Sequence, residues 1–504
     1  MPRTPWLVGA LVALALPALA APSLRYAEDQ APGIVNPLFS TTMAEARVNE
    51  LLFDSLWVDN TELAAVPALA ASGHLSEDMM RFTVLLRSNI AWHDGTPFTA
   101  KDVEFTVRAM KDPGTLSTES GRVDFIDSVQ ATGDHEVVFT FVQPEPAPQD
   151  KMFFKVLPAH AFRSTNVSRA DAFRTRPVGT GPYTLVRYND DSSVTFQSNG
   201  DYRDDVGVPE IVMREVSDKN YQAKLLVYES LEALVRVLPR DLAMLQNNRK
   251  VELYPYQTNS WWYVGFNLRR APFDDVRVRQ ALAQLVDVQG LLDPIGTGDV
   301  LSGPFVKSSP FYNHDVKPWA LNTAVAKGLL QDAGYTYDGS FWTKNGAPLT
   351  LTLTAHQTLE SSQEVVINLQ SQWRNAGVKV EVEFLDEAAW KARIWRQQDY
   401  DLVLSQWSFD RNEDVRDQLH STGGRNFSGY QSEEVDALLD TARSARDPHE
   451  KKAALRAVHA QVHDDVPMMF LWTLDSYSAL STKVRSVVVH PFYFFTFVSD
   501  WRMQ

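Results

Sequence analysis

The chain reads as an α/β protein with more than one large core, and three observations predict it. From residue 349 onward, apolar residues alternate as in a strand and then recur at helical spacing, in regular succession. Between 50 and 165 the alternation is that of half-buried strands, with a well-signalled helix among them. The 504 residues also exceed what one hydrophobic core holds, at roughly 100–200 residues per domain.

Residues 1–20 read MPRTPWLVGALVALALPALA. Arg3 gives a positive start, and the apolar run Leu7 to Leu16 is shorter than the ~20 residues a spanning helix needs. Ala18-Leu19-Ala20 is a small-x-small cleavage site, so this is a secretory signal peptide cut after Ala20. A bacterial periplasm suits the mature chain, which is acidic and free of cysteine.

The next elements follow in order. Phe82, Val84 and Leu86 face one side of a strand, and Asp94-Gly95 marks a turn. Thr99 with Asp102 three residues on resembles a capping box, opening a helix through Met110. Val137, Phe139 and Phe141 form another strand. Leu349, Leu351 and Leu353 begin the regular part. Val365, Val366, Leu369 and Trp373 share a helix face that Gly377 ends. Val378, Val380, Val382 and Phe384 form a strand, a short helix spans 387–397, and Tyr400 to Trp407 is the next strand. This succession predicts βαβ units on a mostly parallel sheet. Helices are expected near 432–443 and 447–465, and Phe492 to Trp501 reads as a last strand-like, aromatic stretch.

Composition excludes several functions. Lys plus Arg is 48 against 63 for Asp plus Glu, a formal charge of −15, so a phosphate backbone would be repelled and no nucleic-acid partner is expected. Without cysteine there are no disulfides, thiolate metal sites or cysteine nucleophiles. GxSxG, SxxK and HExxH are absent. His459 and His463, at helical spacing and followed by Asp464 and Asp465, are the best metal candidates, with a solvated helix face the preferred reading. No metal and no cofactor are expected. Trp261-Trp262-Tyr263 and Phe492-Tyr493-Phe494-Phe495 look too clustered to be fully buried and would suit the wall of a cleft.

Several segments, taken together and in order, resemble the family 5 extracellular solute-binding proteins of ABC importers, the group of dipeptide- and oligopeptide-binding proteins. They are VNELLFDSL (48–56), RFTVLLRSNIAWHDGTPFTAKDVEFTV (81–107), PVGTGPYTLV (177–186), VGFNLRRAPFDDVRVRQALAQLVD (264–287), YDLVLSQWSFDRNED (400–414), FSGYQSEEVDALLDTA (427–442) and DDVPMMFLW (464–472). The resemblance implies a two-lobed periplasmic binding protein fold with a hinge and an extra small α+β domain. Lobe I would comprise 21–49, 166–260 and 474–504, the small domain 50–165, and lobe II 261–473. It implies a monomer that is not an enzyme, captures a peptide between its lobes and delivers it to the transmembrane subunits of an ABC permease. The same scaffold could instead hold a non-peptide solute such as a nickel complex, an oligosaccharide or an opine; a periplasmic hydrolase is the alternative of a different class. His420 could ligate metal in a nickel-binding branch.

By the same resemblance the ligand-binding residues are Asp410, Trp407, Ser408, Gln406 and Phe409, with Thr41, Thr42 and Met43 on the opposing lip. Asp410 would pair with a peptide's α-ammonium, and Glu413 or Asp414 could take its place. Gln406, Trp407 and Ser408 would offer main chain to an extended peptide. The family turn with Gly and Asp is replaced by Glu229-Ser230-Leu231-Glu232-Ala233-Leu234, which puts that turn in question. N-terminal sequencing of periplasmic extract should begin at Ala21; intact Met1 on membrane-bound protein would contradict the export assignment.

Overall fold

The computed structural model describes residues 22–169, 172–189, 191–359, 361–409 and 412–504. The signal segment and Asp410 lie outside the described residues. Three sheets carry the architecture. A seven-stranded mixed sheet runs Val251–Tyr256, Ser476–Ser481, Ala233–Leu234, Ser23–Glu28, Glu210–Glu215, Val194–Ser198, Tyr183–Tyr188. A five-stranded sheet runs Lys379–Leu385, Thr350–His356, Leu402–Ser408, Ser260–Phe266, Met468–Phe470. An antiparallel four-stranded sheet is formed by Ala70–Leu75, Arg81–Leu86, Glu136–Phe141 and Ile126–Gly133.

The local signals explain much of this. Phe82, Val84 and Leu86 are buried on one face of their strand, as are Val137, Phe139 and Phe141. The Ala100–Lys111 helix starts where the Asp102 carboxylate accepts the Thr99 N–H at 2.8 Å. The Ser362–Asn375 helix buries Val365, Val366, Leu369 and Trp373, and Gly377 follows it at φ +88°. The 387–397 segment is helical but widens to a π-helix over Lys391–Gln397.

Two sequence expectations are corrected. The five-stranded sheet is parallel only where Thr350–His356 meets its two neighbours; Ser260–Phe266 joins antiparallel to Leu402–Ser408 and Met468–Phe470. These added strands arrive from distant parts of the chain, which local spacing does not encode. The 492–501 stretch is not a strand but a series of turns and a short helix, Val498–Asp500. Phe494 and Phe495 are both buried in one core, which consecutive strand residues on opposite faces would not achieve.

Trp261, Trp262 and Tyr263 are buried as well, at 1%, 4% and 6% exposure. Their strand has apolar layers on both sides. Trp262, Val264 and Phe266 enter one core, while Trp261 and Tyr263 enter another. The departure at 229–234 still makes a turn: Glu229 takes φ +59°, Arg25 donates to its carbonyl at 2.9 Å, and Leu231 and Leu234 anchor a small apolar cluster.

The core under the four-stranded sheet is continuous with that of the seven-stranded sheet. The Gly179-Thr180-Gly181-Pro182 turn locks this junction. His93 Nδ1 accepts the Gly179 N–H at 3.1 Å, and its Nε2–H donates to the Gly181 carbonyl at 3.0 Å. That pattern holds one neutral tautomer, and burial keeps the imidazole pKa below its usual value. The turn is structural and holds no phosphate cradle. A Cβ on Gly179 would lie 1.7 Å from the Leu52 carbonyl oxygen. Gly179→Ala should therefore cost about 3 kcal/mol, the upper range for overpacking, read as a lowered urea midpoint at unchanged m-value. An unchanged midpoint would mean that the junction yields freely.

Candidate ligand-binding site

The Leu402–Ser408 strand pairs along its length with Ser260–Phe266, from Leu402 opposite Phe266 to Ser408 opposite Ser260. The alternation of an antiparallel ladder then decides where each main-chain group points. Asn267 N–H reaches the Asp401 carbonyl at 3.0 Å, and Phe409 N–H reaches the Asn259 carbonyl at 2.8 Å. Odd-numbered residues thus use their main chain on the Ser260–Phe266 side, and even-numbered residues point to the opposite edge. On that edge Thr350–His356 is in register only with Leu402, Val403 and Leu404. Beyond His356 the chain turns away, with Gln357 N–H donating to the Leu385 carbonyl. The main-chain groups of Gln406 and Ser408 face an edge with no strand on it among the described residues.

Side chains stiffen that edge. Trp407 stacks on Tyr263 with ring centres 6.3 Å apart and on Phe427 at 6.0 Å. Phe409 stacks on Trp261 at 5.7 Å. Gln406 and Ser408 are exposed, and Gln406 Nε2 reaches Ser260 Oγ at 3.2 Å. A cavity of about 60 Å³ lies beside them, lined by Trp395, Gln406, Trp407, Gln418 and Phe427 among others.

Glu413 is buried at φ +49°, and its carboxylate accepts the Ser309 hydroxyl at 2.5 Å. Asp414 is exposed and accepts the Arg416 N–H at 3.0 Å, at the start of the short Arg416–Leu419 helix. A cavity of about 380 Å³ separates this loop from Gln143–Lys151 of the four-stranded-sheet unit.

Thr41, Thr42 and Met43 sit on another unit, at the start of the Met43–Leu52 helix, whose apolar face packs into the core of the seven-stranded sheet. Thr42 Oγ1 accepts the Glu45 N–H at 3.2 Å, and the Glu45 carboxylate accepts the Thr41 and Thr42 N–H groups at 2.8 and 3.1 Å. The threonines build the helix start, and Met43 projects with 58% of its surface exposed. Sequence reading missed Asn49 and Lys155, which line a further cavity. One signal was available: Lys155 is a lone cation in the apolar run Met152 to Leu157.

The histidine pair belongs neither to a metal site nor to a solvated helix face. His459 is fully buried, with Nε2 2.9 Å from Ser302 Oγ and its ring edge-on to Tyr312 at 4.6 Å. His463 Nδ1 lies 2.9 Å from the Ser302 carbonyl, and its ring stacks on Trp319 at 4.5 Å. His420 Nδ1 accepts the Thr422 N–H at 3.1 Å. Among the described residues no group of three or more His, Asp or Glu is arranged to hold a metal ion.

The family described as bacterial extracellular solute-binding proteins, family 5 (middle) matches residues 64–428. The oligopeptide-binding protein AppA of Bacillus subtilis is 23% identical over 489 residues, covering 91% of this chain and 88% of its own. Among solved structures, HbpA2 from Haemophilus parasuis aligns with a TM-score of 0.85 at 20% identity, over 96% of this chain and 100% of its own. NikA from Brucella suis, in complex with Fe(III)-EDTA, aligns with a TM-score of 0.80 at 19% identity, over 96% and 100%. The fold is that of the two-lobed periplasmic binding proteins. The chain belongs to the family 5 extracellular solute-binding proteins, which are substrate-binding proteins rather than enzymes. Among the described residues no helix is long and apolar enough to cross a membrane.

Burial, with His463 and His314 as minor contributors, pushes the His459 pKa down to about 3. An unfolded histidine titrates near ~6.5, so below that pH the unfolded chain binds a proton that the native ring refuses. Stability should fall as pH drops from ~6.5 towards 3, by about 1.4 kcal/mol per pH unit from this group. Between about pH 7.5 and pH 5, urea unfolding of His459→Gln should lose roughly 2 kcal/mol less than wild type. Equal losses would show that the ring is protonated in the native core.

Proposed function

We propose that this protein is the periplasmic solute-binding component of an ABC importer, capturing di- or oligopeptides between two lobes and delivering them to the permease transmembrane subunits. It catalyses no reaction and works as a monomer. The observation that carries the reading is the uncovered edge at Gln406 and Ser408. An extended peptide adds there as a further strand, through main-chain bonds that are indifferent to its side chains. Trp407 and Phe409 hold the edge rigid, and Thr41–Met43 form the opposing lip. The exposed Met43 side chain suits contact with varied ligands, because its thioether adapts to irregular shapes.

Lobe I comprises 21–49, 166–260 and 474–504, lobe II comprises 261–473, and 50–165 is the small domain. The chain leaves the seven-stranded sheet after Tyr256 and enters the five-stranded one at Ser260; it returns between Leu474 and Ser476. Gln257 Nε2 donates to Asp475 Oδ1 at 2.9 Å and to Asp299 Oδ2 at 2.8 Å, tying the two crossings together. A pair of short crossings joined this way acts as a hinge, and closure about it encloses the ligand.

Asp410, two residues beyond Ser408 in the sequence, pairs with the peptide's α-ammonium. A cation enclosed between lobes loses its water and needs a fixed carboxylate with short, charge-assisted bonds. Glu413, already committed to Ser309, is the weaker substitute. The likeness to a protein solved with Fe(III)-EDTA favours a chelated metal as second reading on the same scaffold.

Calorimetry against a panel of di- to pentapeptides tests the assignment. Asp410→Asn should weaken a free-amine peptide by about 2–5 kcal/mol, the cost of truncating one partner of a buried charge pair. That is roughly thirty- to several-thousand-fold in Kd. N-acetylating the peptide should harm wild type similarly and the variant little. Equal affinity of both proteins for the free-amine peptide would place Asp410 in solvent. Binding of a metal chelate and of no peptide would decide for the second reading.

A further inference from the structure

Behind the helix that starts at Met43 lies a cavity of about 100 Å³, lined by Leu38, Ser40, Asn49, Glu50, Arg122 and Lys155 among others. Its polar groups can be accounted for in turn. Arg122 pairs with Glu119 and is bonded to Tyr493. Glu50 Oε1 accepts the Thr496 hydroxyl at 2.7 Å, and Glu50 Oε2 accepts the Phe495 N–H at 3.1 Å. Ser40 Oγ accepts from Asn49 Nδ2 at 2.7 Å.

Two groups are left over. The Lys155 ammonium makes no hydrogen bond and no ion pair among the described residues, and the charges of Glu50 and Asp54 act on it only from a distance. Asn49 is 3% exposed, and its Oδ1 is without a hydrogen-bond partner. A half-buried cation with no direct ion pair and a buried amide oxygen without a donor both raise the free energy of the empty protein. Their complement is a ligand that brings an anionic oxygen and, beside it, an N–H. The last residue of a peptide carries both on one Cα: its α-carboxylate and its amide N–H. The cavity has about the volume of three waters in the liquid, enough for a carboxylate and a small side chain.

We propose that this cavity takes the C-terminal residue of the bound peptide, with the α-carboxylate on Lys155 Nζ and the residue's N–H on Asn49 Oδ1, and that it selects a small C-terminal side chain. The proposal rests on the peptide reading above and extends it to the opposite end of the ligand from Asp410. Lys155 binds as a point charge on a flexible stem, so it accepts a carboxylate without demanding two-pronged geometry. Burial draws the Lys155 pKa down in the empty protein, and an incoming carboxylate restores its charge.

Two probe pairs test this by calorimetry. The first is Ala-Ala-Ala against its C-terminal amide; the second is N-acetylalanine against N-acetylalaninamide, which carry no ammonium. Wild type should prefer each acid over its amide at least tenfold, and in Lys155→Met both ratios should fall to about one. If the tripeptide fails to bind but N-acetylalanine binds in a Lys155-dependent way, the carboxylate site stands and the peptide-import reading falls. A tripeptide that binds wild type with no acid preference, or a Lys155→Met protein that keeps the preference, overturns the site and leaves the import reading intact. Failure of both acids to bind wild type also overturns it. Should Lys155→Met not fold, the wild-type acid-to-amide ratios decide alone.

Discussion

The Ser260–Phe266 strand is buried on both faces, and the rest of the binding architecture depends on that constraint. Its aromatic residues divide between two apolar layers, Trp262 and Phe266 into one and Trp261 and Tyr263 into the other. A slip of one residue would exchange every side chain between those layers. The register is therefore strongly specified. Because Leu402–Ser408 pairs along the whole of this strand, its own phase is specified too. The direction in which Gln406 and Ser408 present their main chain follows from side chains packed into two apolar cores.

Polar groups at several turns and helix ends of the interior are satisfied by named partners. His93 is held in one neutral tautomer between the carbonyl of one turn glycine and the N–H of another. Arg279, buried beside the five-stranded sheet, gives its guanidinium to the carbonyls of Phe273, Asp465 and Val466. Such groups close the ends of helices and turns where backbone ladders stop. Around the cavity beside Lys155, that ammonium makes no direct ion pair and the Asn49 amide oxygen accepts no hydrogen bond among the described residues.

Two short crossings join the sheets, and their link through Gln257 and Asp475 is polar and small. The apolar cores on either side are separate, whereas the four-stranded sheet shares its core with the seven-stranded one. The small unit is thus packed as one body with the seven-stranded sheet. On the side of the five-stranded sheet it borders a cavity lined by both charged residues, such as Glu145, Lys151 and Arg416, and apolar ones, such as Val415 and Leu439.

Local order was legible in the residues themselves. The Thr99–Asp102 start, the apolar face from Val365 to Trp373 and the glycine at 377 depend on neighbours within one or two helical turns, and those neighbours are adjacent in sequence. The ordered set of motifs from 48 to 472 was enough for the family. Tertiary structure decided the rest. His459 and His463 read as a solvated helix face, and only the approach of Ser302, Tyr312 and Trp319 from elsewhere in the chain buries and neutralises them. The 492–501 aromatics alternate too loosely to be told from a strand until a distant core receives Phe494 and Phe495 together. Among the described residues the edge at Gln406 carries no strand because Thr350–His356 ends early, and Lys155 makes no direct ion pair because Asp54 is bonded to Arg203 and Glu50 to Phe495 and Thr496. Both are properties of what distant segments fail to supply, and local periodicity carries no record of them.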